Sequence, residues 1–554
     1  MKVVTVDQMQ RIESDSDAAG HSYAEMMEQA GRSVAEVIAA RASVRDKHAL
    51  ILVGPGNNGG DGLVAARYLN QAGAHVTCYL VRDRSPDRDE NFRRVLEGRV
   101  EVVLAERDEA SQRLRDLSNR ADILIDALLG TGTHLPLRGG VSKMLRVVSS
   151  IVEERRRPAM AEHTPLVPRA STAGRGEPFV VAVDGPTGLE YGSGALDQAA
   201  VPVDLTVTFA YPKAGHFLFP GAAAVGELVV ADIGIDAAFA ADVNLEVVTP
   251  AMVRSWLPVR PLNAHKGTFG RAMIVAGSVN YTGAAYLAGA AATRAGAGLV
   301  TLALPSAIHG AVAARLAEAT YVLLPQVLGV VSRDAASVLR EALDGYEGLL
   351  IGPGLGREDE AVDFLERLLG GSEERRSVGF LRSGAATPAR SDLPPLVIDA
   401  DGLNILAGVE NWPRRLPPET VLTPHPGEMA RLMDGPIRAV QEDRVAAARS
   451  QAVEWGQVVV LKGAYTVVAG PDGRTVIEPF ANPGLATAGT GDVLAGTIVA
   501  LRSQGLGAFE AAAAGAYLHG LAGELTRQEI GAAGMVAGDV LAHLPQAWRW
   551  VSPA

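Results

Sequence analysis

Apolar residues recur at helical spacing in YAEMMEQAGRSVAEVIAA, which predicts an opening helix from roughly Thr5 to Ala40. Short strand-like runs follow: Ala49 to Val53, HVTCYLV from His75, ADILIDAL from Ala121, FVVAVDG from Phe179 and LTVTFA from Leu205. These runs are apolar almost throughout rather than alternating, as in strands covered on both faces, and helical stretches separate most of them. A doubly wound, mainly parallel sheet is the fold this pattern predicts to about residue 240.

A second series begins after the proline-bearing stretch WLPVRPLNAHKG. It opens with RAMIVAG from Arg271 and the alanine-rich helical stretch AAYLAGAAATRAG. It continues with GLVTLAL from Gly298, GLLIG from Gly348, PLVIDA from Pro395, VLTP from Val421, VVVLKG from Val458 and YTVVAG from Tyr465. The chain is therefore read as two α/β domains, 1–243 and 244–554. Two segments, 153–177 and 372–395, lack any apolar period and are expected to be exposed insertions.

Composition narrows the function classes. The 554 residues are 48% hydrophobic and 21% charged, which excludes a mainly disordered chain and leaves room for more than one core. With 51 Lys+Arg against 63 Asp+Glu, the net charge of −12 offers no global positive field for nucleic acid or an anionic membrane. A phosphate-bearing ligand would have to be held locally. No run reaches the ~18 apolar residues of a membrane span, and the N-terminal segment carries acids where a secretory signal would be apolar. The lone Cys78 excludes an internal disulfide or a cysteine metal cage. A cytoplasmic location, small-molecule substrates and a homo-oligomer are expected, with no nucleic-acid or membrane partner.

The chemistry lies in polar turns at strand ends. GPGNNGGDG (54–62) follows the first strand and opens a helix; its glycines let backbone amides approach a phosphate, and the helix N-terminus adds partial positive charge. It matches neither GxGxxG nor the GK[ST] of a phosphate loop. DALLGTGTHLPLRG (126–139) and VDGPTGL (183–189) end two further strands of the same sheet. Carboxyl ends of parallel strands converge on one crevice, which should gather Asp126, the GTGT turn, Asp184 and Thr187 beside the glycine-rich turn. Taken singly, Asp126 and Asp184 fit turn caps equally well.

These motifs resemble those of the NAD(P)H-hydrate epimerases, a resemblance that implies a Rossmann-like first domain. It implies that Asn57, Asn58, Gly59, Gly60 and Asp61, with Gly130, Thr131, Gly132, Thr133, His134, Leu135 and Pro136, hold a hydrated nicotinamide dinucleotide. It further implies that Asn58, Asp126 and Thr187 coordinate a potassium ion, and that Asp184 binds the substrate and is the catalytic carboxylate. Thr187 stands where the family usually has serine, which retains the hydroxyl oxygen. Carboxylate, amide and hydroxyl oxygens are the hard donors such a cation needs.

In the second domain NPGLATAGTGDVLAGTI (482–498) starts a helix at Gly-Thr-Gly-Asp, where backbone amides can hold a phosphate and Asp492 can act on a hydroxyl or water. Asp492 alone would also fit a helix cap. HKGTFG, NYTGAAYLAGA, IGPGLG, DADGLN, TPHPGEM and LKGAYTVV accompany it, most at strand ends. Their order resembles that of the ribokinase-like superfamily, and more closely the ADP- or ATP-dependent NAD(P)H-hydrate dehydratases, from about 266 to 545. By that likeness Lys462, Gly463, Ala464, Tyr465, Thr466 and Gly491 bind ADP or ATP, a co-substrate accompanied by magnesium, while Ala284, Gly356, His425 and Asp492 contact the hydrate. His425 taken alone also fits a turn histidine.

Both resemblances then imply one activity: epimerisation of the R and S forms of hydrated NADH or NADPH, followed by nucleotide-driven dehydration of the S form, with Asp184 as the catalytic carboxylate of the first and Asp492 as the base of the second. The competing reading is a ribokinase-like small-molecule kinase fused to a noncatalytic ligand-binding or scaffold domain.

Overall fold

The computed structural model describes residues 1–157, 177–370 and 393–552. It divides into two compact units, Lys2–Val243 and Asn244–Ala554 with Met1. Both are α/β.

In the first unit the described residues form a sheet of seven strands: β1 His48–Val53, β2 His75–Leu80, β3 Glu101–Leu104, β4 Ile123–Ala127, β5 Phe179–Val183, β6 Leu205–Phe209 and β7 Glu227–Ala231. Their order is 3-2-1-4-5-6-7, and every neighbouring pair is parallel. Side chains alternate across the sheet, so Ile51, Ile125 and Val181 pack into one buried cluster and Leu50, Leu124 and Val180 into the other. Each such fully buried side chain contributes roughly 1.5–3 kcal/mol. The order reverses between β1 and β4, and that switch point opens a crevice at the strands' carboxyl ends.

The opening segment differs from expectation. It forms two helices, Val6–Ala18 and Tyr23–Arg41, because Gly20 takes φ 101° and Ser22 starts the second helix in a capping box with Glu25. The first expected insertion also begins too early: Glu153 to Arg156 are the last turn of helix Gly139–Arg156. Arg155 donates to the carbonyls of Ser118 and Ala121, and Arg156 pairs with Asp204 at 2.7 Å. The rest of that expectation, 158–176, lies outside the described residues, as does 371–392 of the second. Leu393 is buried in the second unit's core, so the fold resumes before residue 395.

The second unit holds ten strands in one sheet: β8 Leu245–Val247, β9 Arg271–Val275, β10 Leu299–Pro305, β11 Thr320–Leu324, then β14 Gly348–Ile351, β15 Leu396–Ile398, β16 Val421–Leu422, β17 Val458–Leu461, β18 Val467–Ala469 and β19 Thr475–Ile477. The small hairpin of β12 Gln326–Val327 and β13 Val330–Val331 stands apart. The order is 11-10-9-14-15-16-17-18-19-8; β17 with β18 and β18 with β19 are antiparallel, and the other pairs are parallel. Here the reversal falls between β9 and β14, and the carboxyl ends of β14 to β17 face one side. Helix Thr490–Ser503 packs across this sheet on alanine and glycine; a Cβ on Gly496 would lie 2.2 Å from the Ala288 carbonyl oxygen.

Candidate active sites

The turns after β1 and β4 touch backbone to backbone. A Cβ on Gly54 would lie 1.7 Å from the Leu128 carbonyl oxygen, so only glycine fits. Arg84 braces the same turn, donating to the carbonyls of Gly54 (2.6 Å) and Gly56 (3.0 Å) and pairing with Asp89. Asn57 to Asp61 are not a free loop but the first turn of helix Asn57–Gln71, with Asn58 through Asp61 buried. Gly130 sits between two expected site residues: a Cβ there would lie 3.3 Å from Asn58 Oδ1 and 3.4 Å from Asp184 Oδ2. Thr133 folds the following turn by donating its hydroxyl and its N–H to the Gly130 carbonyl (2.8 and 3.1 Å). Gly132, His134 and Pro136 are exposed at the rim, with Thr131 and Leu135 half-buried.

Asp126 and Thr187 meet directly. The Thr187 hydroxyl donates to Asp126 Oδ1 (2.7 Å), the Thr187 N–H to Oδ2 (2.8 Å), and the Leu128 N–H to Oδ1 (3.2 Å). Burial pushes the Asp126 carboxyl above its usual range, opposed by these hydrogen bonds and by no neighbouring cation. Among the described residues Asn58 Nδ2 finds no hydrogen-bond partner, although it is buried.

Asp184 begins the turn after β5 with φ 66°, and it is served by residues from β6 and beyond. Oδ1 accepts from Lys213 Nζ (2.5 Å) and the Thr208 hydroxyl (2.8 Å), and Lys213 Nζ also reaches Thr208 Oγ1 (3.0 Å). Oδ2 accepts no hydrogen bond from a described residue and faces Gly130. Burial pushes this carboxyl up, but the Lys213 ammonium wins and holds it below its usual range. His216 takes an N–H from Lys213 on Nδ1 (3.1 Å) and sets Nε2 3.0 Å from the Asp184 carbonyl oxygen. Burial, then Lys213, lowers its pKa to about 4, so the ring is neutral and holds the backbone of Asp184 in its left-handed conformation. Asp61 shows the opposite balance: burial, then the Asp184 and Glu13 charges, push it well above a normal carboxyl.

In the second unit the strand ends converge on Lys462. Its Nζ donates to Asp399 Oδ1 (2.6 Å) and lies 3.8 Å from Glu428 Oε2; Thr423 donates to the same Asp399 oxygen (2.7 Å). A Cβ on Gly491 would be 3.7 Å from Lys462 Nζ and 3.9 Å from Asp399 Oδ2, which places the Gly-Thr-Gly-Asp turn against that pair. Asp492 lies in the first turn of helix Thr490–Ser503. Burial, then the Asp399 charge, raise its pKa to about 7 against the pull of Lys462. Gly356 donates its N–H to Asp401 Oδ2 (3.0 Å), and a Cβ on Gly354 would touch Ala284, so the turn after β14 joins the same group. His425 caps helix Pro426–Leu432, its Nδ1 accepting from the N–H groups of Gly427 and Glu428, while Nε2 is 3.3 Å from Glu428 Oε1. Gly463 takes φ 143° against Arg444, and Thr466 closes the turn by donating to the Gly463 carbonyl (2.9 Å). Ala464 and Tyr465 lie within this turn, Tyr465 with φ 52°.

Sequence reasoning missed Lys213, His216 and Thr208 around Asp184, and it gave Asp399 and Glu428 no role although it singled out DADGLN and TPHPGEM. The available signal was position. YPKAGH follows β6 at the same sheet end as Asp184, so a lysine there points into the crevice that already holds an acid.

Residues 23–215 match the family model described as the YjeF-related protein N-terminus, and residues 272–546 match that of NAD(P)H-hydrate dehydratase. The chain is 40% identical over 95% of its length to the bifunctional NAD(P)H-hydrate repair enzyme of Moorella thermoacetica, covering 92% of that protein. Against the enzymes of the same name from Thermofilum pendens and Escherichia coli the identities are 36% and 32%, over 99% and 97% of this chain and 96% and 92% of theirs. The crystal structure of the ADP/ATP-dependent NAD(P)H-hydrate dehydratase from Bacillus subtilis, crystallised with ATP and magnesium, is 30% identical with a TM-score of 0.45 over 56% of this chain and 99% of that one. The chain belongs to the family of bifunctional NAD(P)H-hydrate repair enzymes.

Proposed function

We propose that this chain repairs hydrated nicotinamide dinucleotides: 2–243 interconverts the R and S epimers of hydrated NADH or NADPH, and 244–554 dehydrates the S epimer at the expense of ADP or ATP. What supports the reading is that both matched segments, 23–215 and 272–546, contain a carboxyl whose pKa its surroundings shift, the buried Asp184 in one and the half-buried Asp492 in the other.

In the first unit Asp184 is ionised and offers Oδ2 to the crevice, as a base needs, while Lys213, Thr208 and His216 fix its other atoms. Asn58 and the turn 130–136 line the approach. A potassium ion suits Asn58, Asp126 and Thr187: their oxygens are hard donors, Asp126 is a buried acid without a cationic neighbour among the described residues, and Asn58 Oδ1 faces the Gly130 turn. Bound there, the ion would supply the positive charge that Asp126 lacks.

In the second unit Asp492 takes the proton of the C6 hydroxyl as that oxygen attacks the nucleotide's terminal phosphorus. The bond from phosphorus to the shortened nucleotide breaks; phosphate then leaves C6 with the C–O electron pair while C5 gives up a proton to solvent or to the departing phosphate, and the C5–C6 double bond forms. Lys462 and Gly491 face the transferring group, with Gly463 to Thr466 beside them. Among the described residues no three or more His, Cys, Asp or Glu side chains are grouped to hold a metal, so magnesium belongs with the nucleotide phosphates.

The test is incubation of mixed hydrate epimers with ADP, with ATP and with neither, following nicotinamide absorbance. Complete recovery with nucleotide, beyond the S fraction, is expected. A phosphorylated product that accumulates would instead favour the small-molecule kinase.

A further inference from the structure

The first unit has a cavity of about 510 Å³ that the reading above leaves unused. It lies at the carboxyl ends of β1, β2 and β3, between Pro55, Val81, Arg82, Ala105 and the start of helix Gly139–Arg156. Three cations line it, Arg82, Arg138 and Lys143, and none forms an ion pair or side-chain hydrogen bond with a described residue. Arg84, two residues on, is by contrast consumed by Gly54, Gly56 and Asp89. Two acids also line the cavity. Asp108 is spent on the N–H groups of Arg113 and Leu114 and on the Tyr79 hydroxyl, and Glu106 is exposed at the edge. The helix adds its uncapped first turn at Gly139 and Gly140, since Arg138 makes no side-chain cap.

Position says what the cavity is for. Asp184 follows β5 and Arg82 follows β2, three strands apart through β4 and β1. At the spacing of paired strands that is about 14 Å, a span that an extended dinucleotide covers from one ring to the other. In dinucleotide-binding sheets with a GxGxxG turn, the residue at the end of the second strand, about 20 positions on, reads the adenosine ribose, and a strand-end residue reaches the same side of the sheet here although the turn has a different sequence. An acid there takes the 2′-hydroxyl and an arginine the 2′-phosphate. Arg82 holds that place, after the turn that ends at Gly62.

Resting on the epimerase reading, we propose that this cavity receives the adenosine half of the hydrated dinucleotide, and that Arg82, Arg138 and Lys143 select the 2′-phosphorylated substrate derived from NADPH over the one derived from NADH. A dianionic phosphate among three unpaired cations gains charge-assisted hydrogen bonds that a ribose hydroxyl cannot match.

Epimer exchange measured without nucleotide, so that the second unit is silent, gives KM for both hydrates. The wild-type protein should show a KM at least ~10-fold lower for hydrated NADPH, as one such contact suggests. The Arg82→Ala/Lys143→Ala variant should raise KM for hydrated NADPH at least tenfold more than for hydrated NADH. Equal wild-type values, or a variant that weakens both alike, overturns the proposal. Absence of exchange with either hydrate would sink the epimerase reading instead. The cavity is then decided by calorimetry with adenosine 2′,5′-bisphosphate and AMP: loss in the variant of a wild-type preference for the bisphosphate upholds anion selection, and no such preference ends it.

Discussion

The two units each set an aspartate near a lysine, yet the two carboxyls are shifted in opposite directions. Lys213 contacts Asp184 itself at 2.5 Å, and its charge outweighs burial, so Asp184 lies below its usual range. Lys462 spends its contact on Asp399 at 2.6 Å, which leaves Asp492 with burial and a second acid, and its pKa rises to about 7. The lysine's nearest carboxylate, rather than its mere presence, sets the acid's state. Asp184 is a resting carboxylate whatever the physiological pH. Asp492 is poised to gain or lose a proton at neutrality, as a group that takes a hydroxyl proton should be.

The largest expected effect separates the two units. Asp492→Asn should lower dehydration of the pure S epimer by at least ~10²-fold and spare epimer exchange, and Asp184→Asn should do the reverse. Each variant keeps the side chain's size, so ligand binding should persist. If either substitution slows both reactions alike, the acids do not serve separate chemistries and the comparison fails.

How far this contrast could be read from sequence follows from its physics. The strand ends that deliver Asp126 and Asp184 announce themselves as apolar runs stopped by glycine-rich turns, because central strands are covered on both faces, and Asp492 is marked by the glycine-rich turn that opens helix Thr490–Ser503. The edge strands do not: β3 and β7 are partly exposed, and β8 is three residues long, as is its neighbour β19, too short for a period. Within the sites, the cation that decides Asp184 comes from 29 residues away and carries no spacing signal. The sequence could place an acid in the crevice, but not choose between burial and a counter-charge.

Lys213→Met tests that choice. It leaves a buried carboxylate uncompensated and should cost about 3–5 kcal/mol at neutral pH. The sign follows from linkage. In the wild type the depressed Asp184 contributes stability that is present above its unfolded pKa and lost as pH falls through the folded one. In the variant burial raises the group, so stability is lost as pH rises. The gap in denaturant midpoint should therefore be wide at pH 7 to 8 and close toward pH 4. A gap independent of pH would mean that Lys213 matters by packing alone.

On the other side, Asp399→Asn removes the second cause of the high Asp492 pKa while keeping an oxygen for Lys462 and Thr423. Asp492 must be deprotonated to act as a base, so the dehydration rate should fall as pH drops through its pKa. The variant should move that acid limb down by about one pH unit. An unmoved limb would assign it to a different group.

The smallest effect concerns Glu478, just past β19, whose two buried carboxyl oxygens have no hydrogen-bond partner among the described residues. Its backbone N–H donates to the Thr466 carbonyl (2.8 Å), and burial alone pushes its carboxyl well above the normal range. Unlike Asp492 it has no lysine among the described residues to oppose that push, which makes it a control for burial acting by itself. A group raised in the folded state contributes stability that is complete below the unfolded pKa and declines as pH climbs toward the folded one. Glu478→Gln keeps the shape of the protonated acid and cannot titrate. Its stability relative to wild type should therefore improve by about 1 kcal/mol between pH 5 and pH 6, read from chemical denaturation without nucleotide. A constant offset across that interval would show that Glu478 ionises in the folded protein with a charge partner, and it could no longer serve as a control for burial acting unopposed.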